Sequence, residues 1–307
     1  MIYQQKTVES MSYPKKTIGT DEKNAIIGGT LYLVATPIGN LSDLSERALK
    51  VLSEVDFVAA EDTRNSGLLL SRFGISKPMI SYFEHNKRER GESIAARLEG
   101  GESCALITDA GTPAISDPGE DIVRVCAERG IPVTSIPGAC AAITALTLSA
   151  LPTGRFVFEG FLSGNKTDRR ERFEELLGER RTMIFYEAPH HLRQTLDDMI
   201  RYFGADRPVT LCRELTKLNE EVHRTTLGEA AAYYAEKDPR GEYVLVVGGS
   251  AEKKQTEDYP EDIAEHVALL EASGMKRMDA IKACAKTRGV PKNEIYNIIN
   301  RKDDDTE

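Results

Sequence analysis

The chain is 307 residues long, 40% hydrophobic and 29% charged, with a formal net charge of −9. Its length suggests about two domains, each large enough to bury its own core, and its composition is that of an ordinary soluble globular protein. No run comes near the ~18 apolar residues of a membrane span and the first residues lack a signal-peptide apolar region, so a cytoplasmic protein with no membrane partner is expected.

Residues 1–28 are polar, lack apolar periodicity and read as a mobile arm. Residues 30–35 form the first strand-like run, and Thr36-Pro37-Ile38-Gly39-Asn40 turns out of it. Asp43, with Glu46 three residues later, is a capping-box-like helix start, and Leu44, Ala48, Val51, Leu52 and Val55 make that helix's apolar stripe. Further strand-like runs at 56–60, 78–82, 103–108 and 131–136 alternate with helical patterns, which predicts a mostly parallel sheet covered by helices.

The most informative stretch leaves the fourth of these runs. Asp109-Ala110-Gly111-Thr112-Pro113-Ala114-Ile115-Ser116-Asp117-Pro118-Gly119 leads to a helix marked by Ile122, Val123, Val125 and Cys126, with Gly130 placed to stop it. The loop thus sits at the carboxyl end of a strand, where open α/β sheets bind their ligands. Its glycines permit close backbone approach, its prolines stiffen it, and Thr112, Ser116 and two aspartates supply short polar groups. A plain strand-to-helix turn rarely takes a loop of this length. Neither this loop nor its counterparts at 36–40 and 137–142 fits the dinucleotide fingerprint G-x-G-x-x-G or the phosphate loop G-x-x-x-x-G-K-[ST]. That counts against a dinucleotide or a nucleoside triphosphate.

Ala150-Leu151-Pro152-Thr153-Gly154 breaks the alternation and is the expected boundary between an α/β domain over 29–152 and a second over 153–250. Strand-like runs at 155–161, 181–186, 207–212, 222–226 and 242–248 include close neighbours with no helix between them, so the second sheet should be mixed or antiparallel. Residues 249–260 read as a polar linker. Residues 261–302 carry three helical patterns, the third opened by Pro291. They look like a helix-turn-helix module, and packing alone explains such a bundle equally well. Cys104, Cys126, Cys140, Cys212 and Cys284 are odd in number and never spaced C-x-x-C, so they read as buried, reduced thiols and no metal site is expected.

Val34-Ala35-Thr36-Pro37-Ile38-Gly39-Asn40-Leu41, Ala60-Glu61-Asp62-Thr63-Arg64, Glu84-His85-Asn86, the 109–119 loop, Ile136-Pro137-Gly138-Ala139 and Phe185-Tyr186-Glu187-Ala188-Pro189-His190 occur in that order. Arg213-Glu214-Leu215-Thr216-Lys217 and the run at 241–247 follow. Together they resemble the tetrapyrrole methylase superfamily, and within it the ribosomal RNA small subunit methyltransferase I branch, from 29 to about 249. The resemblance implies two α/β domains with S-adenosylmethionine in the cleft between them, commonly as a homodimer. It also implies methyl transfer to the 2′-oxygen of a cytidine ribose in 16S rRNA of the 30S subunit, with no DNA partner.

The same resemblance assigns the cofactor to Pro37 in the first loop and to Ala110, Gly111, Thr112 and Ile115 in the central loop. Cys140 and Ala141 after Pro-Gly, Tyr186 at a strand end, and Leu215 complete that set. Asp109 is placed to accept hydrogen bonds from the ligand or from the loop's own amides. The chain departs from the family at Ala139-Cys140, where Pro-Ser is common, and at Gly248, where an acidic residue is common.

A ribose hydroxyl is a poor nucleophile near neutral pH, so an acceptor close to the 2′-oxygen should act as general base. Glu61, Asp62 and His85 lie at strand ends and are candidates, as is Glu214; Arg64 and Lys217 can bind phosphate or orient a carboxylate. Each has a plainer reading: Glu61 and Asp62 begin a helix, and His85 is an exposed loop histidine. An acidic chain that holds RNA needs a local basic patch. Lys166, Arg169, Arg170 and Arg172 are the densest cationic cluster of the two α/β domains, and the same pattern also describes a solvated helix face with internal ion pairs. Two rival functions share this frame: a methylase of a porphyrin or corrin precursor, and a non-catalytic RNA-binding protein of ribosome assembly.

Overall fold

A computed structural model describes residues 25–250, 259–260 and 262–304, the side chains of 300–304 excepted. These residues form two compact units, the chain dividing after Ser250. Among them no helix is long and apolar enough to cross a membrane.

The first sheet contains β1 (Leu31–Val34), β2 (Phe57–Ala60), β3 (Met79–Ser81), β4 (Cys104–Ile107) and β5 (Val133–Ile136). Their order is β3-β2-β4-β1-β5 and every pairing is parallel. β1, β2 and β4 are buried along their whole length, which is why they read as unbroken apolar runs. Alternation along the strands divides the two faces. Leu31, Leu33, Phe57, Ala59, Cys104 and Leu106 pack with α3 (Lys87–Glu99) and α4 (Gly119–Glu128). Tyr32, Val34, Val58, Ala60, Ala105 and Ile107 pack with α1 (Glu46–Glu54) and α2 (Thr63–Arg72). The loops leaving β1 and β4, neighbours in the sheet, therefore run to opposite faces and open a crevice at its carboxyl edge. Thr36 and Gly111 exchange two backbone hydrogen bonds, of 2.9 and 3.1 Å, across that crevice.

The second sheet contains β6 (Phe156–Phe161), β7 (Thr182–Glu187), β8 (Pro208–Arg213), β9 (Glu221–Thr226) and β10 (Tyr243–Val247), in the order β6-β7-β10-β8-β9. β6 runs parallel to β7 and the remaining pairs are antiparallel, so the sheet is mixed. One face packs on α6 (Lys166–Glu175), α7 (Leu192–Phe203) and α8 (Leu227–Glu236) through Phe173, Leu196, Met199 and Leu227. The other face receives α5 (Ala141–Leu148), whose Ala142, Ala145 and Leu146 meet Ile184, Cys212, Leu215 and Val246. α5 precedes the Ala150–Gly154 break in sequence and packs on the second sheet. Its small apolar residues make that close approach possible.

The start of α1 differs from the expected Asp43–Glu46 box. Asp43 ends a 3-10 turn, Leu44 is extended, and Ser45 caps the helix by accepting from the Ala48 amide at 3.1 Å. Of the expected arm, residues 1–24 lie outside the described residues. Ile26 packs against the first core, and the Ile27 amide donates to the Tyr32 hydroxyl at 2.8 Å. All five cysteines are free thiols; four are buried, and Cys140 is half-buried where α5 begins.

The second unit is described by itself. α9 (Ile263–Ala272), α10 (Arg277–Arg288) and α11 (Lys292–Asp304) enclose Val267, Ala280, Ile281, Cys284, Ile295 and Ile299. Asp262 caps α9 by accepting from the Ala264 and Glu265 amides, and Gly289, at φ 66°, ends α10. Linker residues 251–258 lie outside the described residues.

Candidate active site

A cleft of about 460 Å³ opens at the carboxyl edge of the first sheet, closed on its far side by the ends of β7 and β8 and the start of β10. Ligand pockets commonly have this size. The 109–119 loop forms one wall, and its shape is held by Asp117. That carboxylate accepts from the amides of Ala114 (3.0 Å), Ile115 (3.0 Å) and Gly119 (2.7 Å). Between those bonds Ala114 and Ser116 sit in the left-handed region at φ 68° and 63°, strain that recurs at ligand sites. Thr112 donates to the Ala139 carbonyl at 2.9 Å and ties the loop to the start of α5. Gly111 has φ 90°, and a Cβ there would meet only Ile38 and Ala139, at 3.5 and 3.8 Å. Conformation, not space, requires the glycine. Its amide and carbonyl are spent on Thr36.

The opposite wall is equally specific. The Tyr186 hydroxyl accepts from the Ala142 amide at 3.2 Å, and its ring meets Phe158 and Phe161 edge-on. Burial pushes that phenol up to about 12, so it stays protonated. Glu214 and Thr216 are left-handed, at φ 51° and 65°, and Lys217 bridges Glu214 (2.8 Å) and Glu242 (2.7 Å). Gly39 of the first loop passes so close that a Cβ would lie 2.4 Å from Lys217 Cγ. Glu61, Asp117, Glu187, Glu214 and Glu242 line the cleft against Lys217, the one cation there among the described residues and itself paired. The lining suits a cationic ligand. Burial, then the neighbouring Asp109, raise the pKa of Glu61, while the nearby Asp109 backbone amide opposes the shift.

Beside the cleft lies a second cavity of about 180 Å³, lined by Pro37, Leu41, Asn65, Leu69 and Asp109, with Thr108 in the wall of both. The structure therefore sorts the expected residues. Ala110, Gly111, Thr112, Ile115, Cys140, Ala141, Tyr186 and Leu215 converge on the cleft, as does Glu61. Pro37 and Asp109 face the smaller cavity, where Asp109 accepts from Asn65 Nδ2 at 3.0 Å rather than from its own loop. Asp62 caps α2 by accepting from the Arg64 amide at 2.8 Å, and the Arg64 guanidinium folds back onto it. Those bonds hold its carboxyl down at about 2. His85 is exposed, stands edge-on to Phe83 and lines neither cavity.

The basic cluster is divided by the fold. Arg169 is buried, donating to Asp198 (2.7 Å) and Thr195 (2.8 Å); Thr195 in turn donates to Glu187 in the cleft wall. Arg172 is held by Glu159 and Glu175. Lys166 and Arg170 remain exposed, with Arg170 3.7 Å from Glu174. As a surface for phosphate the expected cluster thus shrinks to these two, because Arg169 shares the inner face of α6 with Phe173, four residues on. Glu187 and Asn65 were not singled out from sequence. Glu187 stood inside a quoted motif, and Asn65 lies four residues, about one helical turn, after Glu61.

A parallel sheet with its crevice between opposed loops, closed by a mixed sheet over an acidic cleft, defines a tetrapyrrole methylase. The chain matches the tetrapyrrole (corrin/porphyrin) methylases over residues 30–231 and belongs to that family. Among curated proteins it is 48% identical over 276 residues to "Ribosomal RNA small subunit methyltransferase I" of Halalkalibacterium halodurans, covering 89% of this chain and 95% of that one. The protein of the same name from Escherichia coli O157:H7 is 46% identical over 270 residues, covering 87% and 93%. Among solved structures, uroporphyrin-III-C-methyltransferase from Thermus thermophilus superposes with a TM-score of 0.52 at 21% identity, over 72% of this chain and 94% of that one. A cobalamin biosynthetic enzyme, cobalt precorrin-4 methyltransferase, gives 0.55 at 17% identity, over 72% and 95%. These two likenesses concern the fold.

Proposed function

We infer that the chain is an S-adenosylmethionine-dependent methyltransferase that modifies the 2′-oxygen of a cytidine ribose in 16S rRNA of the small ribosomal subunit. The observation that carries this reading is the 46–48% identity, over nearly nine tenths of the chain, to proteins named for small-subunit rRNA methylation. The cleft fits the cofactor: its carboxylates complement a sulfonium and an ammonium, and small residues at 110–111 and 140–141 leave room beside the loop backbone. S-adenosylmethionine, when bound, supplies the electrophilic methyl group. Ala110, Gly111, Thr112, Ile115, Cys140, Ala141, Tyr186 and Leu215 would hold and orient it, residues 29–152 and 153–250 forming the two halves that enclose it. In-line displacement depends on placing the ribose oxygen at near-attack distance, the main work of such a site. Glu61 would take the hydroxyl proton. Its raised pKa brings it nearer the working pH, where a general base is most effective.

We further propose that the substrate is the 30S particle in the cytoplasm, that the protein works as a homodimer, and that Lys166 and Arg170 contact phosphate. The porphyrin and corrin reading has the family model and fold likenesses of 17–21% identity behind it, and it yields to the rRNA relatives at 46–48%. The test is mass-spectrometric mapping of ribose methylation in 16S rRNA from a strain lacking the gene. One 2′-O-methylcytidine should vanish and return on complementation. Persistence of every ribose methyl group overturns the assignment.

A further inference from the structure

We propose that the smaller cavity beside the cleft is the subsite for the target base, and that Asn65 and Asp109 read the exocyclic amine of a cytosine there. This deepens the function proposed above and rests on it. Thr108 carries the argument: it is only 7% exposed, its Oγ1 has no hydrogen-bond partner, and it lines both cavities. Buried hydroxyls in native structures are ordinarily bonded, and an orphan at a pocket wall marks a place for a ligand atom. Its backbone carbonyl is occupied, accepting from Thr36 Oγ1 at 3.1 Å, so the open hydroxyl is not a by-product of a loose loop.

The rest of the cavity has the composition a pyrimidine needs. Pro37, Leu41 and Leu69 offer apolar surface to the faces of a flat ring. Asn65 and Asp109 bring polar edges, and the bond from Asn65 Nδ2 to Asp109 Oδ2 leaves Oδ1 of each as a spare acceptor. Cytosine presents its N4 amine, with two hydrogens, to such acceptors, and a carboxylate facing that amine is an established form of cytosine readout. Uracil would present a carbonyl oxygen to the same acceptors and be repelled. A cavity of about 180 Å³ matches one ring and not a tetrapyrrole.

Position closes the argument. The Asp109 backbone amide lies beside the Glu61 carboxylate, and Glu61 lies in the cleft wall. A nucleoside with its base in the small cavity must pass its ribose over Thr108 toward Glu61, which brings the 2′-hydroxyl to the cofactor cleft. Enzymes that do chemistry on a base draw it out of the stack into such a pocket, and the same extrusion would present the ribose here.

The test uses the full-length protein and 30S particles reconstituted with 16S rRNA bearing either C or U at the methylated nucleotide. The wild-type protein should methylate the C substrate about tenfold or more better than the U substrate in kcat/KM. Asp109→Ala should bring the two within about threefold of each other, because loss of a hydrogen bond to a charged acceptor removes an advantage of about tenfold. Thr108→Val should keep the wild-type melting temperature, since its hydroxyl bonds nothing in the free protein, while kcat/KM on the C substrate falls several-fold. Calorimetric affinity for S-adenosylmethionine should hold in Asp109→Ala, since Asp109 lines the smaller cavity and not the cleft. A folded Asp109→Ala that keeps the full preference for C overturns the subsite, as does a Thr108→Val that methylates like wild type. A wild-type protein inactive on both particles overturns the function itself, and the subsite with it.

Discussion

Glu61 and Asp62 are adjacent carboxylates that the fold drives in opposite directions. Burial and Asp109 raise the pKa of Glu61, so the native state holds that proton longer than the unfolded chain does. The stability linked to it is complete below the ordinary value of 4.5 and is lost as pH rises through the raised native one. Asp62 has the reverse sign: its cap and ion-pair bonds contribute above 3.8 and are lost as pH falls toward about 2. Replacing Glu61 by Gln should therefore leave the melting temperature at pH 8 equal to or above wild type. Methylation should drop by about 10²–10⁴, the usual contribution of a positioned base. The acid limb of the pH–rate profile, set by the raised Glu61 value, should disappear with it. Melting curves and single-turnover rates across pH read both effects, and an unchanged rate removes Glu61 from the reaction.

At the scale of the element, α6 separates two roles within one run of cations. Arg169 points inward to Asp198 and Thr195, and through Thr195 it steadies Glu187 in the cleft wall. Arg169→Met should cost about 2–4 kcal/mol, somewhat under the figure for breaking a fully buried pair because Asp198 is partly solvated. It should also weaken S-adenosylmethionine binding, since Glu187 to Pro189 border the cleft proposed to hold it. The outward pair behaves differently. Lys166→Glu with Arg170→Glu should change stability by less than about 0.5 kcal/mol, weaken 30S binding and flatten its salt dependence. Chemical denaturation and binding at two salt concentrations separate these outcomes. A salt slope that does not move would transfer the RNA contact to other cations.

For the whole molecule, the lining of the cleft runs from Ile38 to Val244, entirely within the first unit. Truncation after Ser250 should therefore leave a folded protein whose calorimetric affinity for S-adenosylmethionine stays within about twofold of full length, since the residues that line the cleft are all retained. A loss of cofactor binding on truncation would show that the helical unit supports the cleft. The formal charge of −9 also acts at this scale. It disfavours nonspecific attachment to nucleic acid and leaves recognition of RNA to local features, here the proposed contacts at Lys166 and Arg170 and the proposed base subsite.

The strands were legible in the chain because their signals are local. β1, β2 and β4 are apolar on both faces, turn residues bound them, and each lies within two residues of the run that announced it. The loops at strand ends were legible for the same reason, and eight of the residues that the family resemblance assigned to the cofactor line one cleft. What surrounds each side chain was settled only by distant chain. Asp109 meets Asn65 across 44 positions, Arg169 meets Asp198 across 29, and α5 joins a sheet formed after it in sequence. The raised pKa of Glu61 and the unpartnered hydroxyl of Thr108 belong to this second kind. Backbone conformation follows from near neighbours through sterics and hydrogen bonding, whereas burial, ion pairing and protonation depend on which remote groups exclude water. Those groups come together only when the sheets pack.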